Sequence, residues 1–132
     1  MKEMVYTSEH KREVLDTGYF HGFFYYILNL GTHPTAYIRI PENHKYYQVD
    51  YDEVDVDVHG GLTYGKDYLH IENDVKIDGW FIGWDYGHAG DYMGYYADEI
   101  FNLALYKDDD KKWTTEEIAK EVRDVCYQLA KM

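Results

Sequence analysis

The segment Thr114-Thr115-Glu116-Glu117, followed by apolar residues at Ile118, Val122, Val125 and Leu129, restricts the fold more than any other feature. Thr114 and Glu117 have the spacing of a capping box, in which the threonine hydroxyl accepts from the backbone N–H three residues on and the glutamate reaches back. Apolar spacings of four, three and four then lay one stripe along one helix face, with Trp113 placed to staple onto Ile118. Such a stripe needs a covering layer, and the clearest other segments have strand patterns. The expectation is an α+β fold: a mainly antiparallel sheet of four to five strands covered by this C-terminal helix. One or two shorter helices complete it. Ser8 to Asp16 is predicted helical, capped by Thr7 or Ser8 and stopped by Gly18, with Val14 and Leu15 inward, and a second helix is placed around Ala97 to Leu105.

Tyr19 to Leu30 is a ring-rich apolar run with the length of a buried strand. Gly31-Thr32-His33-Pro34 supplies a turn, and the alternating Ala36 to Ile40 predicts a second strand antiparallel to the first. Val54 to His59 alternates strictly, so the valines face one side while Asp55, Asp57 and His59 share the other. Gly60-Gly61 then marks a bulge or a close backbone approach before Leu62-Thr63-Tyr64 resumes the strand. In the last strand, Gly79 to Gly87, Trp80, Trp84 and Tyr86 alternate with Phe81, Gly83 and Asp85, which brings Asp85 to the strand's end. Lys107 to Lys112 is a charged linker. With 132 residues and no internal repeat, the chain is read as one domain, 1–132.

Charge narrows the range of partners. Thirteen Lys plus Arg against 25 Asp plus Glu give a net charge of −12, which repels phosphate backbones and argues against duplex nucleic acid. No run of about 20 apolar residues offers a membrane span. The lone Cys126 fits a reducing compartment and reads as a small helix residue, so the expected location is cytoplasmic. Sixteen tyrosines exceed what one small core hides, which predicts an aromatic-lined pocket or a homo-oligomer interface. The acidic run from Asp50 to Asp57 reads as a solvated strand edge, with a DNA-mimicking face as the sharper alternative.

Two segments carry the chemistry-bearing residues: Val58-His59-Gly60-Gly61 and Trp84-Asp85-Tyr86-Gly87-His88-Ala89-Gly90-Asp91. Imidazole and carboxylate are ligands for zinc, manganese or iron, so His59, Asp85, His88 and Asp91 form a candidate divalent-metal set. In a hydrolase, His59, Asp85 and His88 would be the catalytic candidates; the alternative is that they hydrogen-bond and shape the glycine-rich loops. Glycines at strand ends let backbone N–H groups approach an anion. The expected ligand-binding set is therefore His59, Gly60, Gly61, Tyr64, Trp84, Asp85, His88 and Asp91, with binding preferred to catalysis and no cofactor required.

The succession of Ile40-Pro41-Glu42-Asn43-His44, Tyr51-Asp52-Glu53, Val58 to Tyr64, Ile82-Gly83-Trp84-Asp85, His88-Ala89-Gly90-Asp91 and the helix opening Trp113-Thr114 resembles a family of small phage and prophage proteins. The resemblance spans about Gly18 to Asp91 and the last helix. Its most specific blocks are His-Gly-Gly-Leu-Thr-Tyr and Gly-Trp-Asp followed by His-Ala-Gly-Asp. Members often carry proline after the residue matching His44, where this chain has Lys45, a difference in a turn. The family implies a phage setting, host cytoplasm, and an accessory role blunting host defence. Three routes are compatible with it: sequestering a nucleotide-derived signal in the manner of sponge proteins, hydrolysing that signal, or blocking a basic host defence protein with the acidic face. Sequestration is the first expectation.

Overall fold

A computed structural model describes residues 13–29, 33–72, 75–87 and 113–132. Five strands form one antiparallel sheet in the order β1-β2-β3-β5-β4: β1 Glu13–Phe20, β2 Phe23–Asn29, β3 Pro34–Ile40, β4 Tyr64–Glu72 and β5 Val75–Asp85. The helix α1, Thr115–Ala130, follows, and a short 3-10 turn spans Tyr51–Glu53. The expected α+β architecture is thus present. The helix expected around Ala97 to Leu105 and the linker at Lys107 to Lys112 lie outside the described residues. No described helix is long and apolar enough to cross a membrane.

The run expected to form one strand from Tyr19 to Leu30 is instead divided into two. His21 and Gly22 both take positive φ, 52° and 92°, and Phe20 pairs directly with Phe23. Two residues with φ > 0 make the turn whose twist matches a tight hairpin, and glycine at the second relieves part of its steric cost. Folding this run back on itself turns Glu13 to Asp16, expected as the end of a helix, into the start of β1. There Glu13 pairs with Asn29 and Val14 with Leu28. Strand pairing along eight residues has overridden a local helix signal. The hairpin expected between the ring-rich run and Ala36 to Ile40 is present as β2 and β3, with Pro34 as the first residue of β3, the strand position proline tolerates best.

Strand alternation gives the sheet two apolar faces. Tyr25, Ile27, Ala36, Ile38, Ile82 and Trp84 face α1, whose Ile118, Val122, Val125 and Leu129 are all fully buried against them. The capping box is present, with Glu117 N–H donating to Thr114 Oγ1 at 3.1 Å and Thr114 N–H to Glu117 Oε1 at 3.0 Å. On the other face Leu28, Tyr37, Leu69 and Phe81 form a second cluster that also takes in Val14 of β1 and Ile71 of β4. The two edge strands therefore meet over the same side chains, and the sheet curls.

Val54 to His59, expected as a strand, keeps its alternation without joining the sheet. Val54, Val56 and Val58 pack on the helix-side core while Asp55 and Asp57 stay exposed. Helix side chains take the place of a neighbouring strand: Asp57 N–H donates to Gln128 Oε1 at 2.8 Å, and Gln128 Nε2 donates back to Asp57 O at 2.9 Å. His44 ties the preceding loop to the same C-terminal end of α1, with Nδ1 accepting from Tyr46 N–H at 3.1 Å and Nε2 bonded to Leu129 O at 2.9 Å.

Candidate functional site

Gly60 and Gly61, expected as a strand bulge, instead form a turn. Gly61 N–H donates to Val58 O at 3.0 Å, and the positive φ of Gly60, 68°, falls where a type II turn requires glycine. This turn aims the His59 ring inward, away from Asp55 and Asp57, the neighbours its alternation had assigned it. The ring stacks on Tyr86 with centroids 5.0 Å apart and planes 6° from parallel, and it meets Trp113 at 4.9 Å. Trp84 Nε1 donates to the Tyr86 hydroxyl at 2.9 Å, that hydroxyl donates to Glu121 Oε1 in a short bond, and Glu121 Oε2 accepts from His59 N–H at 3.0 Å. The two segments singled out in the sequence thus meet, joined by a helix carboxylate that the motifs did not include.

Trp84 and Tyr86 are 1% and 0% exposed. A fully engaged carboxylate between buried rings organises the sheet–helix junction, so stability is what it controls first. Glu121→Ala deprives the Tyr86 hydroxyl and His59 N–H of this acceptor and is expected to cost roughly 2–3 kcal/mol, against about 1 for Glu121→Gln, which keeps one oxygen. Chemical denaturation of both variants checks the order.

The remaining expected site residues are placed elsewhere. Asp85 follows Trp84 and so points to the other face, where its Oδ1 accepts from Gly87 N–H at 3.0 Å and its Oδ2 from Thr63 Oγ1 at 3.2 Å. It shapes the turn after β5 and does not face His59. Tyr64 is also on that second face, edge-on to Tyr37 at 5.1 Å. Those two rings meet across Gly83, where a Cβ would overlap Tyr37 and the Ala36 carbonyl. His88 and Asp91 lie outside the described residues. Among the described residues, the acidic groups close enough to share an ion are Asp50, Asp52 and Glu53, all exposed at the 3-10 turn, on the run expected as a solvated edge.

A different cavity, a groove of about 730 Å³, lies at the opposite end of β5. Tyr19 and Phe24, a cross-strand pair with ring centroids 4.6 Å apart, form one wall, and both are exposed. Tyr47 and Trp80 also line it. Among the described residues Arg39 is the one cation in its lining, alongside the carboxylates of Glu42 and Asp78, and the exposed guanidinium makes no ion pair or hydrogen bond with any of them. Gly79 positions it: with φ of 136° and no side chain, this residue lets Arg39 lie across β5, where a Cβ would collide with Nε. Sequence reading missed this site because its residues come from four separate segments. The available signals were Gly79, a glycine inside a strand pattern, and Arg39 ending an apolar alternation.

No family model matches the chain, and comparisons with curated proteins and with solved structures return no match.

Proposed function

We propose that this chain is a small accessory binding protein, phage-type as its sequence blocks suggest, that sequesters a nucleotide-derived signal and so blunts a host response. The observation that carries the reading is the groove, whose lining combines the exposed ring pair Tyr19 and Phe24, the half-buried Tyr47 and Trp80, and a guanidinium that has no partner among the described residues. Exposed rings offer stacking faces to a base, and an arginine fork suits phosphate oxygens. The volume falls within the range of small-ligand sites. Net charge supports the same choice: a chain at −12 disfavours a long phosphate backbone but leaves one local cation to hold one nucleotide.

The site in this reading is Tyr19, Phe24, Arg39, Tyr47 and Trp80, while the His59, Tyr86 and Glu121 junction holds the sheet and helix that shape it. Thermal unfolding with a panel of nucleosides and nucleotides tests the proposal. A ligand at 100 times its dissociation constant is expected to add about 2.7 kcal/mol, a shift of several degrees for a domain of this size. Chromatography of the mixture should recover that ligand unchanged. No shift from any member of the panel overturns the reading, and consumption of the ligand replaces sequestration with hydrolysis.

A further inference from the structure

We infer that the groove selects nucleotides carrying a single negative charge at phosphorus, a cyclic or other phosphodiester, over terminal mono-, di- and triphosphates. This rests on the nucleotide-binding reading above and names the ligand class within it. Among the described residues Arg39 brings one positive charge to the lining, and Glu42 and Asp78 bring two negative ones, so their formal charge is −1. One phosphate charge is met by Arg39. Any second charge falls among carboxylates, in a chain that is already at −12.

Oxygen geometry points the same way. A phosphodiester has two non-bridging oxygens, the number that one guanidinium fork engages with parallel N–H donors. A terminal phosphate near pH 7 carries nearly a second full charge and a third oxygen, with no further cation among the described lining residues to receive them. Gly79 leaves room for the fork's stem over β5, since a Cβ there would collide with Arg39 Nε. The carboxylates then have a role of their own. Ionised Glu42 and Asp78 only accept hydrogen bonds, so they suit the N–H groups of a base and the hydroxyls of a ribose. Tyr19 with Phe24, an exposed cross-strand pair, supplies ring faces for the base. Base and sugar donors are thus matched to the acids, and one anionic diester to the arginine.

Isothermal titration of the full chain at physiological salt with adenosine, guanosine, their 3′,5′-cyclic monophosphates, AMP, GMP and ATP tests the inference. A cyclic monophosphate is expected to bind at least tenfold more tightly than its nucleoside and than ATP. Arg39→Gln, a surface change, should bring the affinity for the cyclic nucleotide down to that for the nucleoside measured on the same variant. The double variant Glu42→Gln, Asp78→Asn should raise AMP and ATP affinity about tenfold. If ATP or AMP binds the native chain as tightly as the cyclic form, or Arg39→Gln leaves cyclic-nucleotide affinity unchanged, the charge selection is wrong while nucleotide binding stands. If none of the probes binds, both fall together.

Discussion

Trp84→Ala is expected to lower stability by about 3–5 kcal/mol, the cost of emptying a buried aromatic site that its surroundings only partly refill. Trp84 is 1% exposed and pairs across the sheet with Ala36, whose small side chain makes room for the indole between β5 and α1. Its Nε1–H donates to Tyr86, so truncation also removes one member of the chain of bonds leading to Glu121 and His59. A drop in Tm of roughly 10–20 °C follows for a domain of this size. Trp84→Phe keeps most of the ring and loses the donor, and is expected to cost about 1–2 kcal/mol. Differential scanning calorimetry of the two variants measures both.

The same pair of variants tests what this junction is for. Where Trp84 serves stability, nucleotide affinity in Trp84→Phe should match the native chain, because the groove lies at the other end of β5. A Trp84→Phe protein with native stability and lost binding would move the site back to the two sequence motifs.

Legibility of the fold followed the distance over which each signal acts. The capping box and the stripe from Ile118 to Leu129 are contained within one helix, so sequence alone placed α1. The β2–β3 pairing was legible for the same reason, as two apolar runs around a Gly and Pro turn. His21-Gly22 was not, because rings on both sides made a two-residue turn look like the middle of a long strand. Val54 to His59 shows the complementary error: its period of two is real, but the partners are Gln128 and Glu121, 71 and 62 positions from Asp57 and His59, which no local pattern reveals. The candidate site was read in the same uneven way. His59, Trp84 and the segment through Tyr86 do converge, whereas the strand alternation that brought Asp85 to the end of β5 also placed it on the far face. Arg39, Gly79 and Tyr19 became a group only once β1, β3 and β5 were assembled.

A second large effect comes from Cys126, which is fully buried in α1. Burial disfavours the thiolate and pushes the thiol up to about 12, from an ordinary value of 9.0. Below pH 9 the folded and unfolded chains both keep this proton, and it leaves stability unchanged. Between 9 and 12 the unfolded chain releases the proton while the folded chain retains it, so stability falls as pH rises, by about 1.4 kcal/mol per unit and about 4 kcal/mol across the window. Tyr25 acts in the same direction above its ordinary value of 10.0, because its burial and the nearby charge of Asp16 both hold the phenol protonated. With Tyr25 acting alongside it, the native curve by itself does not isolate the thiol. Comparison with Cys126→Ala does. That variant is expected to start less stable, from the lost packing, and then to lose stability with a slope smaller by one proton between pH 9.5 and 11.5. Urea titrations at half-unit steps of pH measure the difference. Parallel curves for the two proteins, or rapid modification of native Cys126 by a thiol reagent at pH 8, would show that the thiol is not held protonated by the fold.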